Sequence, residues 1–145
     1  MGDGGVTEDI DEGIVVDTSV WIEFLRSGES SAGDRLAREI AAGTRIVVTE
    51  TVILELLSGP TDELVAARRR RLLESFELAP AMPIADSLRA AALQRECRRA
   101  GRTVRSLGDC LIAAVALRMS LPVMHRDRDF EILAEHAGLR TIPLD

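Results

Sequence analysis

Lysine and tyrosine are both absent from these 145 residues, and each absence removes a class of chemistry. Phosphoacceptor receiver modules and haloacid-dehalogenase-like phosphatases both set a lysine ammonium beside a phosphoryl group, so a chain without lysine fits neither. The phosphatase pattern would also need a second aspartate two residues after Asp17, where Ser19 stands. Aromatic residues make up only 3%, too few for the stacking platform on which single-strand binders lay successive bases. The two cysteines, Cys97 and Cys110, lack metal-ligand spacing and follow no secretory segment. They read as buried thiols in a reducing compartment. The longest apolar runs, such as 110–117, are far too short to span a bilayer, so no membrane role and a cytoplasmic location are expected.

What charge there is divides unevenly. The net charge of −6 argues against a nucleic-acid partner at first sight, yet residues 1–13 carry five acids and no base, leaving 19 acids against 18 arginines in the remainder. Residues 1–13, rich in glycine and with little apolar content, read as a flexible acidic leader. The body is nearly neutral. If several of its acids gather in one pocket, the rest of its surface is arginine-rich, and arginine suits bidentate phosphate contacts.

Short β-branched runs alternate with helical periodicity from residue 14 onward. Ile14-Val15-Val16, Ile46-Val47-Val48 and Pro122-Val123-Met124 read as buried strands, with Glu77-Leu78-Ala79 and Arg140 to Pro143 as shorter ones. Between them the spacing predicts helices from Val20 to near Ser27, from Ser30 or Ser31 to Gly43, from Thr49 to Ser58, from Thr61 to Phe76, from Pro83 to Gly101, from Ser106 to Ser120 and from Asp127 to Gly138. The alternation specifies an α/β class: a single three-layer domain over residues 14–145, its parallel sheet of four to five strands flanked by helices.

In such sheets chemistry collects beyond the carboxyl ends of the strands. Asp17 stands there, although an aspartate after a strand is most often only a helix cap. Glu55 interrupts the apolar run 52–57 and shares a helix face with Thr51, Val52, Ser58 and Gly59, small residues that leave room beside a carboxylate. A purely structural Glu55 would need a buried arginine partner. Asp109 completes a capping-box pattern with Ser106, ahead of the most apolar helix. Asp127 and Asp129 both follow a strand and open a helix; one can cap it, and either could. Carboxylates brought together repel one another unless cations neutralise them, and hard divalent ions such as Mg²⁺ and Mn²⁺ do so while pairing with phosphate oxygens. The chemistry that follows is phosphodiester hydrolysis by an activated water, which needs neither a serine nor a histidine nucleophile. His125 and His136 accordingly read as structural or surface residues.

The blocks Val15-Val16-Asp17-Thr18-Ser19-Val20-Trp21, Glu50 to Gly59, Thr103 to Ala114 and His125 to Phe130 resemble, in order and spacing, those of PIN-domain toxins, the VapC-like ribonucleases of bacterial type II toxin–antitoxin pairs. The resemblance covers residues 14–145. It implies an acidic site of Asp17, Glu55, Asp109 and Asp127 with Asp129 as a fifth member, Asp17 and Asp109 as direct metal ligands, and the Thr18 hydroxyl behind them. It further implies Mg²⁺- or Mn²⁺-dependent endonucleolytic cleavage of single-stranded RNA, in tRNA or rRNA loops. A homodimer and a small VapB-like antitoxin that blocks the acidic groove come with it. Family members start almost at the first strand, so the leader is a departure. The rival reading is a catalytically idle PIN scaffold that binds RNA or a protein.

Arginines supply the remaining pattern. Along the helix from Pro83, Ala90, Leu93, Cys97 and Ala100 share one face while Arg95, Arg98, Arg99 and Arg102 share the opposite one. A solvated face is the default for such a stripe, and beside an acidic groove it becomes a track for RNA phosphates. Arg68 to Arg71 wrap around their helix and cannot all face one ligand.

Overall fold

The structure, a computed structural model, describes residues 12–26 and 28–145. Five parallel strands, β1 (Ile14–Val16), β2 (Ile46–Thr49), β3 (Glu77–Ala79), β4 (Val123–His125) and β5 (Thr141–Pro143), form one sheet in the order β3-β2-β1-β4-β5. The connecting helices are α1 (Thr18–Leu25), α2 (Ser31–Ala41), α3 (Glu50–Leu57), α4 (Glu63–Glu74), α5 (Pro83–Arg99), α6 (Leu107–Met119) and α7 (Arg128–Ala137). Parallel strands need crossovers that cover both faces of the sheet, which is why β1, β2 and β4 are buried throughout. Residues 1–11 of the expected leader, and Ser27 at the expected end of the first helix, lie outside the described residues.

Strand β1 is central. Val15 is in register with Val47 of β2 on one side and Val123 of β4 on the other, so the strand order reverses between β1 and β4. That reversal opens a crevice beyond the carboxyl ends of both strands. Trp21 of α1 fills the core beneath it, its ring meeting Phe24 edge-on at 5.9 Å and Phe76 at 5.4 Å. Helix α2 comes close enough to α1 that a Cβ on Gly33 would sit 2.8 Å from the Glu23 carbonyl oxygen, so only glycine fits there.

Helix ends differ from expectation where capping chemistry was ambiguous. Ser30, not Ser31, caps α2 by accepting from the Gly33 N–H, and Asp62, not Thr61, caps α4 by accepting from Val65 N–H. Helix α5 stops at Arg99, so Arg102 lies beyond the helix. Ala100, expected on the buried face, is exposed at the helix C-cap, while Ala90, Leu93 and Cys97 are buried as the spacing predicts.

An ion pair that no local sequence pattern signals ties α5 to α6, between buried Asp86 and the exposed Arg118. Asp86 accepts both Nε (3.0 Å) and Nη2 (2.9 Å) of Arg118 and also the Met82 N–H, capping α5 from inside its first turn. Burial raises the Asp86 pKa, but the Arg118 hydrogen bonds and charge outweigh it and hold the carboxyl below its ordinary 3.8. A carboxylate stabilised in the folded state contributes at neutral pH, and that contribution is lost as pH falls below the ordinary value and through the folded one. Asp86→Ala is expected to cost about 1–2 kcal/mol by removing the acceptor shared by Arg118 and the Met82 N–H, both of which water can reach. Thermal unfolding at pH 7 and pH 3 checks this: the gap between wild type and variant should be wide at pH 7 and narrow at pH 3.

Candidate active site

Four of the five acids converge on the crevice between β1 and β4. Asp17 leaves β1 and caps α1, with Oδ2 accepting from the Ser19 N–H at 3.0 Å and the Ser19 hydroxyl at 2.5 Å. Ser19 Oγ in turn accepts from the Arg126 N–H at 3.3 Å, linking the ends of β1 and β4. Asp127 leaves β4 and caps α7 through Oδ1, which accepts from the Asp129 N–H at 2.9 Å. Of the two acids left open as the cap, Asp127 is therefore the one. Asp129 Oδ2 instead accepts from the backbone N–H of Arg105 and of Ser106, each at 3.1 Å, which pins the loop entering α6. Ser106 Oγ then accepts from the Asp109 N–H at 3.1 Å, capping α6, but the box expected with Asp109 forms only this half, because Asp129 takes the Ser106 N–H and leaves the Asp109 carboxyl to the crevice.

Carboxylate oxygens of Asp109, Asp127 and Asp129 lie within 4.8 Å of one another. Asp17 is close enough for its charge to act on Asp109, and for that of Asp127 to act on it. Both deep members are almost sealed from solvent, Asp17 at 2% and Asp109 at 5% exposure. Burial first, then the charges of Asp17, Asp127 and Asp129, push the Asp109 carboxyl up to about 8. Burial also raises Asp17, against the opposing hydrogen bonds from Ser19.

Glu55 stands at the rim. It is exposed, and its Oε1 accepts the Thr18 hydroxyl at 2.6 Å. Its other oxygen would lie 2.8 Å from a Cβ on Gly108, so glycine at the start of α6 lets this carboxylate approach. Thr18 thus positions Glu55 rather than Asp17; Ser19, which was not singled out from the sequence, holds Asp17. An aspartate two residues before a serine at a helix start is the signal that would have found it.

Among the described residues no arginine forms an ion pair with any of the five acids. The nearby Arg126 pairs with Glu23 instead. Asp17 Oδ1 and Asp109 Oδ2 are buried and accept no hydrogen bond among the described residues. Two orphaned carboxyl oxygens beside further acids are costly to ionise without a cation, and an all-oxygen donor set suits a hard divalent ion. The residues present therefore fit such an ion.

His125 is buried against Phe130, and its Nδ1 accepts from the Asp127 N–H at 3.1 Å. Burial lowers its pKa, consistent with a neutral ring supporting the β4 end. The Cys110 thiol, buried and next to Asp109, is pushed up to about 12 and is inert at neutral pH.

Residues 14–136 match the PIN domain, and the chain belongs to that family. Within it, the chain stands with the VapC ribonucleases: it is 37% identical over 131 residues to ribonuclease VapC11 of Mycobacterium tuberculosis, covering 88% of this chain and 96% of that one. Among solved structures, the toxin–antitoxin system member VapBC-5 of M. tuberculosis matches with 28% identity and a TM-score of 0.62, over 92% of this chain and 99% of that one. VapBC2 of Rickettsia felis, solved with a DNA fragment of its promoter, shares the fold at TM-score 0.71 and 16% identity, over 91% and 98% of the two chains. No helix among the described residues is long and apolar enough to cross a membrane.

Proposed function

We propose that this chain is the toxin of a type II toxin–antitoxin pair and acts as an endoribonuclease on single-stranded RNA, in tRNA or rRNA loops, with Mg²⁺ or Mn²⁺ held by Asp17, Asp109, Asp127 and Asp129. The observation that carries the reading is the pair of buried, unpartnered oxygens of Asp17 and Asp109 at the reversal point of the sheet, with no arginine among the described residues paired to either acid. Residues 14–145 make up the nuclease unit.

Each acid has its own part. Asp17 and Asp109 supply the buried charge; Asp127 and Asp129 add theirs while bonding the backbone that holds the site's shape. Glu55, exposed at the rim and oriented by Thr18, is placed to accept the proton released as water attacks phosphorus. When bound, a divalent ion would polarise a phosphate oxygen and make water more acidic. Water forms the new P–O bond, the bond to the leaving sugar oxygen breaks, and that oxygen takes up a proton.

A cytoplasmic location, a VapB-like antitoxin over the acidic groove and a homodimer complete the proposal. For the homodimer, Leu54 of α3 and Met82, Ile84 and Leu88 of the α5 end are exposed, supporting an apolar contact between copies. The experiment is cleavage of total tRNA and rRNA by the partner-free chain with Mg²⁺, Mn²⁺ or EDTA. Fragments that appear with metal and vanish with EDTA are expected. Binding of RNA without cleavage under all three conditions would instead leave the idle scaffold.

A further inference from the structure

A cavity of about 430 Å³ lies between the turn that follows α5 and the acid cluster. Arg102, Thr103, Arg105, Arg128, Asp129 and Ile132 line it. Arg102 follows the end of α5, whose Arg95, Arg98 and Arg99 are exposed, and Asp129 is shared with the acid cluster. A strand of RNA with one phosphate at the cluster would place a neighbouring one at this cavity.

The three arginines differ. Arg102 already pairs with Glu135 at 3.1 Å. Arg105 and Arg128 are exposed and form no ion pair among the described residues. The backbone of Arg105 is fixed, because its N–H donates to Asp129 Oδ2, so its guanidinium extends from a rigid base. Arg128 is the first residue of α7, where the helix dipole disfavours a cation and where Asp127 and Asp129 stand on either side of it. Its guanidinium, exposed and outside any ion pair among the described residues, is open to an anion at the cavity.

From this juxtaposition we infer that Arg105 and Arg128 form a phosphate subsite for the RNA strand, holding a backbone phosphate adjacent to the one being cleaved. The subsite rests on the ribonuclease reading and deepens it. Asp129 does not repel the phosphate unopposed, since its Oδ2 is occupied by two backbone N–H donors. Guanidinium forks match phosphate oxygens two at a time, and the Thr103 hydroxyl at the same wall adds a neutral donor. The subsite acts on binding rather than on the reacting bond.

The test compares wild type, Arg105→Ala/Arg128→Ala and Arg105→Lys/Arg128→Lys in the full chain. Cleavage of a labelled single-stranded RNA gives kcat and KM with Mg²⁺, and anisotropy of the same RNA in EDTA gives affinity against salt. The alanine pair should raise KM about 10-fold with little change in kcat. The slope of log affinity against log salt should fall by about 0.7 for each phosphate that is no longer neutralised. The lysine pair should keep the slope near wild type while losing part of the affinity, since the charge stays and the fork goes. Both sites are exposed, so unfolding temperature should not move. Shortening the RNA from one end should erase the alanine penalty once no phosphate reaches the cavity. Wild-type cleavage with unchanged KM and slope in the alanine pair would overturn the subsite and leave the ribonuclease intact. A wild-type chain that neither binds nor cuts RNA would overturn both.

Discussion

Asp109→Asn is expected to lower RNA cleavage by about 10³-fold or more, the scale of losing a group that stabilises transition-state charge. The same substitution is expected to make the chain more stable in EDTA. Asparagine keeps the shape of the side chain, and the Ser106 cap remains because it bonds the residue 109 backbone N–H. What goes is a buried carboxyl at 5% exposure, costly to ionise because of its burial and three neighbouring acids, and unpaired at Oδ2. Relief of about 2 kcal/mol is reasonable for such a group, or a rise of several degrees in unfolding temperature for a chain of this size. Adding Mg²⁺ or Mn²⁺ should raise the unfolding temperature of wild type, because an ion that binds only the folded state stabilises it, and should barely move the variant. Differential scanning fluorimetry with and without metal, beside the cleavage assay, checks all three effects. Full activity in the variant would remove Asp109 from the site.

Asp129 separates two roles that one carboxylate performs. Asp129→Asn retains an oxygen able to accept from Arg105 and Ser106 N–H, so it should unfold within a degree or two of wild type while losing about 10²-fold or more in cleavage. Asp129→Ala removes the acceptor as well. The loop before α6 then loses its two 3.1 Å anchors, Ser106 no longer aims Asp109, and about 1–3 kcal/mol of stability should go with the activity. Equal unfolding temperatures for the two variants would mean that the loop is held by other bonds.

Much of this fold was written in local signals. Buried β-branched runs bounded by turns located β1, β2 and β4, and Ser106, Thr49 and Gly138 marked helix ends because capping is a short-range bond. Adjacent candidates were harder. Thr61 and Asp62 both can cap, as can Asp127 and Asp129, and only the path of the backbone decides which side chain meets which N–H. The site followed the same division. Its five acids were legible one by one, but the exposed position of Glu55 against the buried Asp17 and Asp109 depends on how α3 meets α6, where Gly108 makes room. The Asp86–Arg118 pair was invisible because its partners are 32 residues apart and neither breaks an apolar pattern. Arg102 changed character for a simpler reason: α5 ends three residues before it.

The order of the strands carries a consequence for timing. Val15 has its register with Val47 early in the chain, whereas its other neighbour, Val123, belongs to the last quarter of it. Asp127 and Asp129 arrive with that late strand, and Asp129 is what fastens the loop in front of Asp109. A nascent chain on the ribosome therefore exposes β1, β2 and most of the helices before it possesses a cutting centre. Contacts between distant residues also form slowly once available, since a long loop must close first. The acid cluster is thus incomplete through most of the chain's synthesis, and a partner that engages the earlier elements has the whole of that interval in which to reach them.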